Sequence, residues 1–260
     1  MARFRPAATW AAYAAQRDLL RAWLRSVPAD AWSRPSVLQA WTVLELARHV
    51  AHVPAAAVTA IAGGPSIERP MSLGDYSAAW ASSAEAIARF SVEAAAGLGP
   101  EQVLALLDQA DAALADLAPG LPDELVVRAN RGPLRIGDYL ATRVNELVVH
   151  AGDLSRSVPE LPPVPVERRA LAVACRMLAT VLADRNPGHS VEVRVPPFAA
   201  VQVIEGPRHT RGTPANVVET EPATWVLIAT GRLPYADAVA AGLVKASGLR
   251  ADLGPYLPLF

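Results

Sequence analysis

The chain has 260 residues, 52% of them hydrophobic, and a formal net charge of −1 from 24 basic and 25 acidic side chains. That length suits one large domain or two ordinary ones, and the apolar content excludes a disordered chain. The near-neutral balance makes no electrostatic case for nucleic acid or for an anionic membrane surface.

Lys245 is the only lysine, which with the abundant alanine reads as a GC-rich coding bias rather than chemistry. Cys175 is the only cysteine, so no intramolecular disulfide is possible and a reducing cytoplasm is expected. The opening MARFRPAATWAAYAAQRDLL has no signal-peptide core, because Arg17 and Asp18 interrupt it. No run approaches the ~20 apolar residues of a membrane helix, so membrane insertion is not expected.

The first half has helical periodicity. Trp10, Tyr13, Leu19, Leu20 and Trp23 predict a helix over 7–26. A loop with Pro28, Ser33 and Pro35 follows. WTVLELARHVAHVPAAAVTAI reads as a second helix, with Thr42 as N-cap and Glu45 three residues on as its capping-box partner. MSLGDYSAAWASSAEAIARFSVEAAAG reads as a third. Residues 100–118 form a further helical piece, opened by Pro100 and ended near Pro119 and Gly120. RIGDYLATRVNELVVHAGDLSRS is the last long helix of this half, and the set suggests a four-helix bundle.

SVPELPPVPVE at 157–167 has four prolines and reads as a linker. A helix is expected over 166–185. The period then changes to two. VEVRV sets Val191, Val193 and Val195 against Glu192 and Arg194, the pattern of a half-exposed strand. VPPFAAVQVIEG and TPANVVETEPATWVLIATG are read in the same way, and the last 28 residues as a short helix, a short strand and a turn. The second half is therefore α+β.

The chemistry concentrates in RVNELVVHAGD. Glu146, His150 and Asp153 follow at steps of four and three, with Arg143 three residues before Glu146. One helical turn offsets Glu146 from His150 by roughly 40°, so a carboxylate and an imidazole can reach one divalent ion. Such a site needs further ligands, and the second helix offers His49 and His52. The same spacing also occurs on ordinary solvated helix faces. Here the neighbours Leu147, Val148 and Val149 leave the Arg143/Glu146/His150/Asp153 stripe as the helix's main hydrophilic face.

Two segments resemble the mycothiol-dependent maleylpyruvate isomerase family. QAWTVLELARHVAH is similar to its N-terminal signature, a Trp–Thr/Ser–Val start with a His eight residues after the Trp: Trp41 and His49. RVNELVVHAGDL is similar to its Arg-x-x-Glu-x-x-x-His-x-x-Asp signature. The resemblance spans residues 1–155. It implies a DinB-like four-helix bundle, expected over 1–156, that holds a divalent metal, usually zinc, through His49, Glu146 and His150. It also implies mycothiol as thiol cofactor. Asp153 is then placed to accept a hydrogen bond from His150 and fix its tautomer. Arg143 orients Glu146, binds an acidic group of substrate or cofactor, or forms a plain ion pair with Glu146. His52 has no place in the pattern. No residue is assigned as catalytic.

VEVRVPPFAAVQVIEGPRHTRGTP and GLVKASGLRADLGPYLPLF resemble the bacterial sterol-carrier-like domain, expected over 165–260. That resemblance implies a mixed sheet with helices, able to enclose a lipid-like ligand in some proteins. In the loop GPRHTRGTP, Arg208, His209 and Arg211 close over an anion or form a solvated hairpin. Trp225 and Cys175 read as core residues, and Tyr256–Phe260 as a segment that needs cover.

Three functions compete. The first is a metal-dependent, mycothiol-using isomerase or thiol transferase for a small electrophile. The second is a carrier of a lipid-like ligand with the bundle as scaffold. The third is an interaction protein stapled by a structural metal.

Overall fold

The computed structural model describes residues 3–39, 41–206 and 215–260, and for residues 79 and 81–84 the backbone alone. The loop with Arg208, His209 and Arg211 lies outside the described residues. The chain divides into two compact units. One takes the chain up to Met71 together with Ser82–Ala170, and the other takes Ser72–Ala81 with Leu171–Phe260.

The first unit is helical. Its helices are α1 (Pro6–Leu24), α2 (Val43–Ala62), the larger part of α3 (Leu73–Ala95), α4 (Pro100–Leu117) and α5 (Ile136–Ser157). Three of them start where the sequence supplies a start. Pro6 and Pro100 open α1 and α4, where the missing N–H costs nothing. Thr42 caps α2 in a complete capping box: Glu45 N donates to Thr42 Oγ1 at 3.3 Å, and Thr42 N donates to Glu45 Oε2 at 2.6 Å. Helix α2 packs against α4 and α5, and α1 packs against α5.

Helix α5 is the centre of this unit. Ile136, Leu140, Val144, Leu147 and Leu154 are almost wholly buried on it. Each is worth about 1.5–3 kcal/mol in transfer free energy. Gly137 sits in its first turn because a Cβ there would lie 1.8 Å from the Phe4 carbonyl oxygen.

A β-hairpin leads into α5 and departs from the all-helical expectation for this half. β1 (Val126–Ala129) pairs antiparallel with β2 (Gly132–Arg135), leaving Asn130 and Arg131 as a two-residue turn. The dipeptide lacks the Asn-Gly or Asp-Gly signature that announces such a turn in sequence. Burial holds the hairpin in place, with Val127 and Leu134 at 0% exposure.

The second unit carries α6 (Arg168–Arg185, from Leu171 on) and a four-stranded sheet. β3 (Val191–Val195) pairs antiparallel with β4 (Ala199–Val203) and parallel with β5 (Val217–Thr220). β5 pairs antiparallel with β6 (Val244–Ser247), giving the order β4-β3-β5-β6. β3 alternates as its sequence predicts: Val191, Val193 and Val195 are buried, while Glu192 and Arg194 pair with each other on the other face at 2.6 Å.

The sequence pattern places ATWVLIA with the strands, but the structure has a helix there, α7 (Pro222–Ala229). The run is apolar on every side, so no period marks it as helical, and Pro222 at its first turn is the remaining signal. Trp225 is fully buried and donates from Nε1 to the Cys175 carbonyl at 3.2 Å. Burial pushes the Cys175 thiol up to about 12, which makes it a small inert core residue. A short helix, α8 (Tyr235–Ala240), precedes β6. The C-terminal segment packs within its own unit: Leu259 is buried, and its N–H donates to the Ala229 carbonyl at 2.8 Å.

Candidate metal centre

Helix geometry brings Glu146 and His150 together, and α2–α5 packing brings His49 to them. His150 Nε2 lies 3.2 Å from Glu146 Oε2, and His49 Nε2 lies 3.4 Å from the same oxygen. One ligand atom from each of the three residues falls within 4.8 Å of the others. The two imidazoles meet edge to face, with ring centroids 4.8 Å apart. Two nitrogens and a carboxylate oxygen converging on one point are a donor set suited to a divalent transition ion.

The surroundings hold the three side chains in place. His150 Nδ1 lies 2.9 Å from Asp153 Oδ2, and Asp153 is fully buried. Arg156 donates to the other carboxylate oxygen of Asp153 at 2.6 Å. Trp41 stacks at a tilt against His49, with centroids 4.9 Å apart. Sequence reasoning gave no role to Ser91 of α3, yet its hydroxyl oxygen lies 3.4 Å from His49 Nδ1 and the residue is 1% exposed. No spacing rule points to it; only the packing of α3 on α2 puts it there.

The two histidines differ in charge. Burial pushes the His49 imidazole down, and the nearby His150 charge adds to this. Burial also acts against a charged His150, but hydrogen bonds to Asp153 and Glu146 and their negative charges raise it to about 9. Burial would raise Glu146. The hydrogen bonds from His150 and His49 and the charges of His150 and Arg143 overcome that, so its carboxyl stays well below the usual range. At neutral pH the triad is thus a carboxylate, an imidazolium and a neutral imidazole.

A cleft of about 350 Å³ opens beside the triad. It is lined by His49, Glu146 and Arg143, by the apolar Val53, Ile87 and Phe90, and by the hairpin-turn residues Asn130 and Arg131. Arg143 is buried, donates to Thr142 Oγ1 at 3.1 Å and lies 5.1 Å over the Tyr139 ring. His52 lines the cleft outside the triad, its ring 4.9 Å from that of Phe90. Asn130, Arg131, Ile87 and Phe90 were not anticipated from the sequence. His189 lies elsewhere, exposed, with Nδ1 2.8 Å from Gln202 Oε1.

Comparison with known proteins bears on this geometry. Residues 13–155 match the family model described as the mycothiol maleylpyruvate isomerase N-terminal domain, and residues 167–259 match the one described as bacterial SCP ortholog. No curated protein is significantly similar in sequence. Among solved structures, a mutant of the mycothiol-dependent maleylpyruvate isomerase is similar with a TM-score of 0.63 and 19% identity, covering 95% of this chain and 96% of that one. The unmutated isomerase is similar with a TM-score of 0.59 and 18% identity over the same shares. At that identity the likeness is one of fold.

Proposed function

The chain belongs to the family of the mycothiol maleylpyruvate isomerase N-terminal domain, and from that premise we propose that it is a divalent-metal-dependent, mycothiol-using isomerase or thiol transferase for a small electrophile. The observation that carries this reading is the convergence of His49, Glu146 and His150 at the side of an open cleft. A purely structural metal would be closed off by a fourth protein ligand. Among the described residues the group of candidate ligands stops at three.

In this reading His49, Glu146 and His150 hold the ion, and zinc suits their nitrogen–oxygen donor set. When bound, it would favour the thiolate form of mycothiol, a nucleophile at neutral pH. The chain's own residues supply the rest. Glu146 is held ionised in advance, so it needs no deprotonation to serve as a ligand. Asp153 fixes the ring of His150 from behind. Val53, Ile87 and Phe90 keep water from one wall of the cleft. Arg143 and Arg131 place positive charge beside the cleft, which suits an acidic group of substrate or cofactor.

The bundle proper comprises α1, α2, α4 and α5 in a DinB-like arrangement over 1–156. A sterol-carrier-like domain follows over 165–260, and the protein works in the cytoplasm. Among the described residues no helix is long and apolar enough to cross a membrane.

The test is elemental analysis of the purified protein under metal-replete conditions, followed by a thiol-exchange screen with mycothiol. One divalent ion per chain and mycothiol-dependent turnover of an electrophile are expected. A protein without metal sinks the proposal. Metal without thiol chemistry, together with lipid retained through purification, would establish the carrier reading instead.

A further inference from the structure

His49 is the ligand that comes from another helix, and its aim decides whether the triad closes. Its Nε2 faces Glu146 Oε2, to which it donates when no metal is bound. A nitrogen that ligates a metal carries no proton, so on metal binding the neutral ring must carry its proton on Nδ1. That N–H is largely shut off from water, since the His49 side chain is 14% exposed. A buried donor left without an acceptor costs about 1–3 kcal/mol.

Trp41 covers one side of the ring, and the His150 ring meets it edge to face. Neither offers an oxygen at the Nδ1 end. Ser91 Oγ is the acceptor within reach, at 3.4 Å and buried. On the other ligand the same task falls to Asp153, at 2.9 Å from His150 Nδ1. Each ligating imidazole therefore has one buried oxygen behind it, a carboxylate on α5 and a hydroxyl on α3.

We propose that Ser91 is the positioning residue of the metal centre: it accepts the Nδ1 proton of His49, fixes the tautomer that turns Nε2 to the metal, and makes α3 part of the site. This rests on the reading of His49, Glu146 and His150 as metal ligands. A neutral hydroxyl does this without adding a second negative charge on the α2 side. Its hold on the ring is weaker than that of a carboxylate, so His49 is the ligand whose orientation a single substitution can loosen.

The experiment compares wild type, Ser91→Ala and Ser91→Thr. It measures zinc stoichiometry, zinc affinity by chelator competition, the absorption spectrum of the cobalt-substituted protein, and thermal unfolding of the metal-free protein. Wild type should bind one ion. Ser91→Ala should bind zinc about 10–100-fold more weakly. Its cobalt bands should shift, while the metal-free unfolding temperature stays close to that of wild type. Ser91→Thr keeps a hydroxyl and should restore most of the affinity. Unchanged affinity and cobalt spectrum in Ser91→Ala would overturn the assignment. So would an equal loss of affinity in both variants, or a metal-free protein destabilised in step with the affinity loss, either of which marks Ser91 as packing alone. Wild type that binds no ion would instead overturn the metal centre itself, and Ser91's role with it.

Discussion

The helical unit buries two carboxylate clusters that solve the same problem in opposite ways. At the triad, Glu146 sits between two imidazoles, and hydrogen bonds from them with the charges of His150 and Arg143 hold it ionised against the effect of burial. Between α1 and α4, Asp111 is 2% exposed and meets the Tyr13 hydroxyl at 3.2 Å. There burial prevails over the attraction of Arg17, whose Nε is 3.9 Å away, and Asp111 rises to about 6. Burial and the charge of Asp111 in turn push Tyr13 well above its ordinary value. A buried acid is held ionised well below neutral pH only where donors and positive charge are built around it, and donors that can give up their protons, as imidazoles can, leave a place for a dication. The contrast separates a site from a structural polar pair.

Removing a ligand should break the contrast most severely. His150→Ala or His49→Ala should weaken zinc binding by more than ~100-fold, beyond the range expected of outer partners, while the fold survives. Chelator competition and circular dichroism would check this. If both variants keep full zinc affinity, the two clusters are equivalent after all.

The proton on His150 sharpens the difference next. Below about 9 that imidazole is protonated, so a metal must displace its proton. Zinc affinity should therefore rise by about tenfold per pH unit from 7 towards 9 and then level off. Titration calorimetry in buffers of different ionisation enthalpy should show a proton released on binding at pH 7. Affinity flat across that range would show that His150 is already neutral.

The Tyr13–Asp111 pair should respond in stability rather than in metal affinity. Tyr13→Phe leaves an ionised buried carboxylate short of a donor, a loss of about 1–3 kcal/mol at pH 7. Urea unfolding should show it, with zinc affinity unchanged. An unchanged stability would mean that water reaches Asp111.

Asp111→Asn should have the smallest effect. A native value near 6 against the ordinary 3.8 means the folded state holds this proton more tightly. Its contribution is complete below pH 3.8 and fades as pH rises through about 6. The variant should lose that pH slope and gain ~1 kcal/mol at pH 7, well under the ~3 kcal/mol the full shift allows, because it also gives up the attraction to Arg17. A slope equal to that of wild type would place the titration elsewhere.

Much of the fold was legible because it rests on local signals. Thr42 with Glu45, Pro6 and Pro100 mark helix starts whatever packs against them, and the alternation of β3 names its buried face. The hairpin at 126–135 and helix α7 were not legible. The first lacks a turn dipeptide of known type, and the second is apolar on every side, so its period vanishes. At the site, Glu146, His150 and Asp153 follow from helical spacing. The nearness of His49 was expected from the family resemblance and not from any spacing, and nothing in the sequence signals Ser91, Phe90 or Arg131. They arrive on other elements, and their positions depend on how those elements pack.

Glu146 and His150 stand one turn apart on a single well-buried helix, so as metal ligands they would form a chelate whose backbone spacing follows the 5.4 Å helical pitch. The backbone spacing of that pair is fixed, and only side-chain rotation adjusts its bite. The adjustable dimension is the approach of α2, and therefore of His49, which is set by the volumes of the small residues between helices. If an ion binds there, its preference would then be tuned by the volume of buried α2 side chains such as Ala47 and Val50, both fully enclosed, with every ligand unchanged.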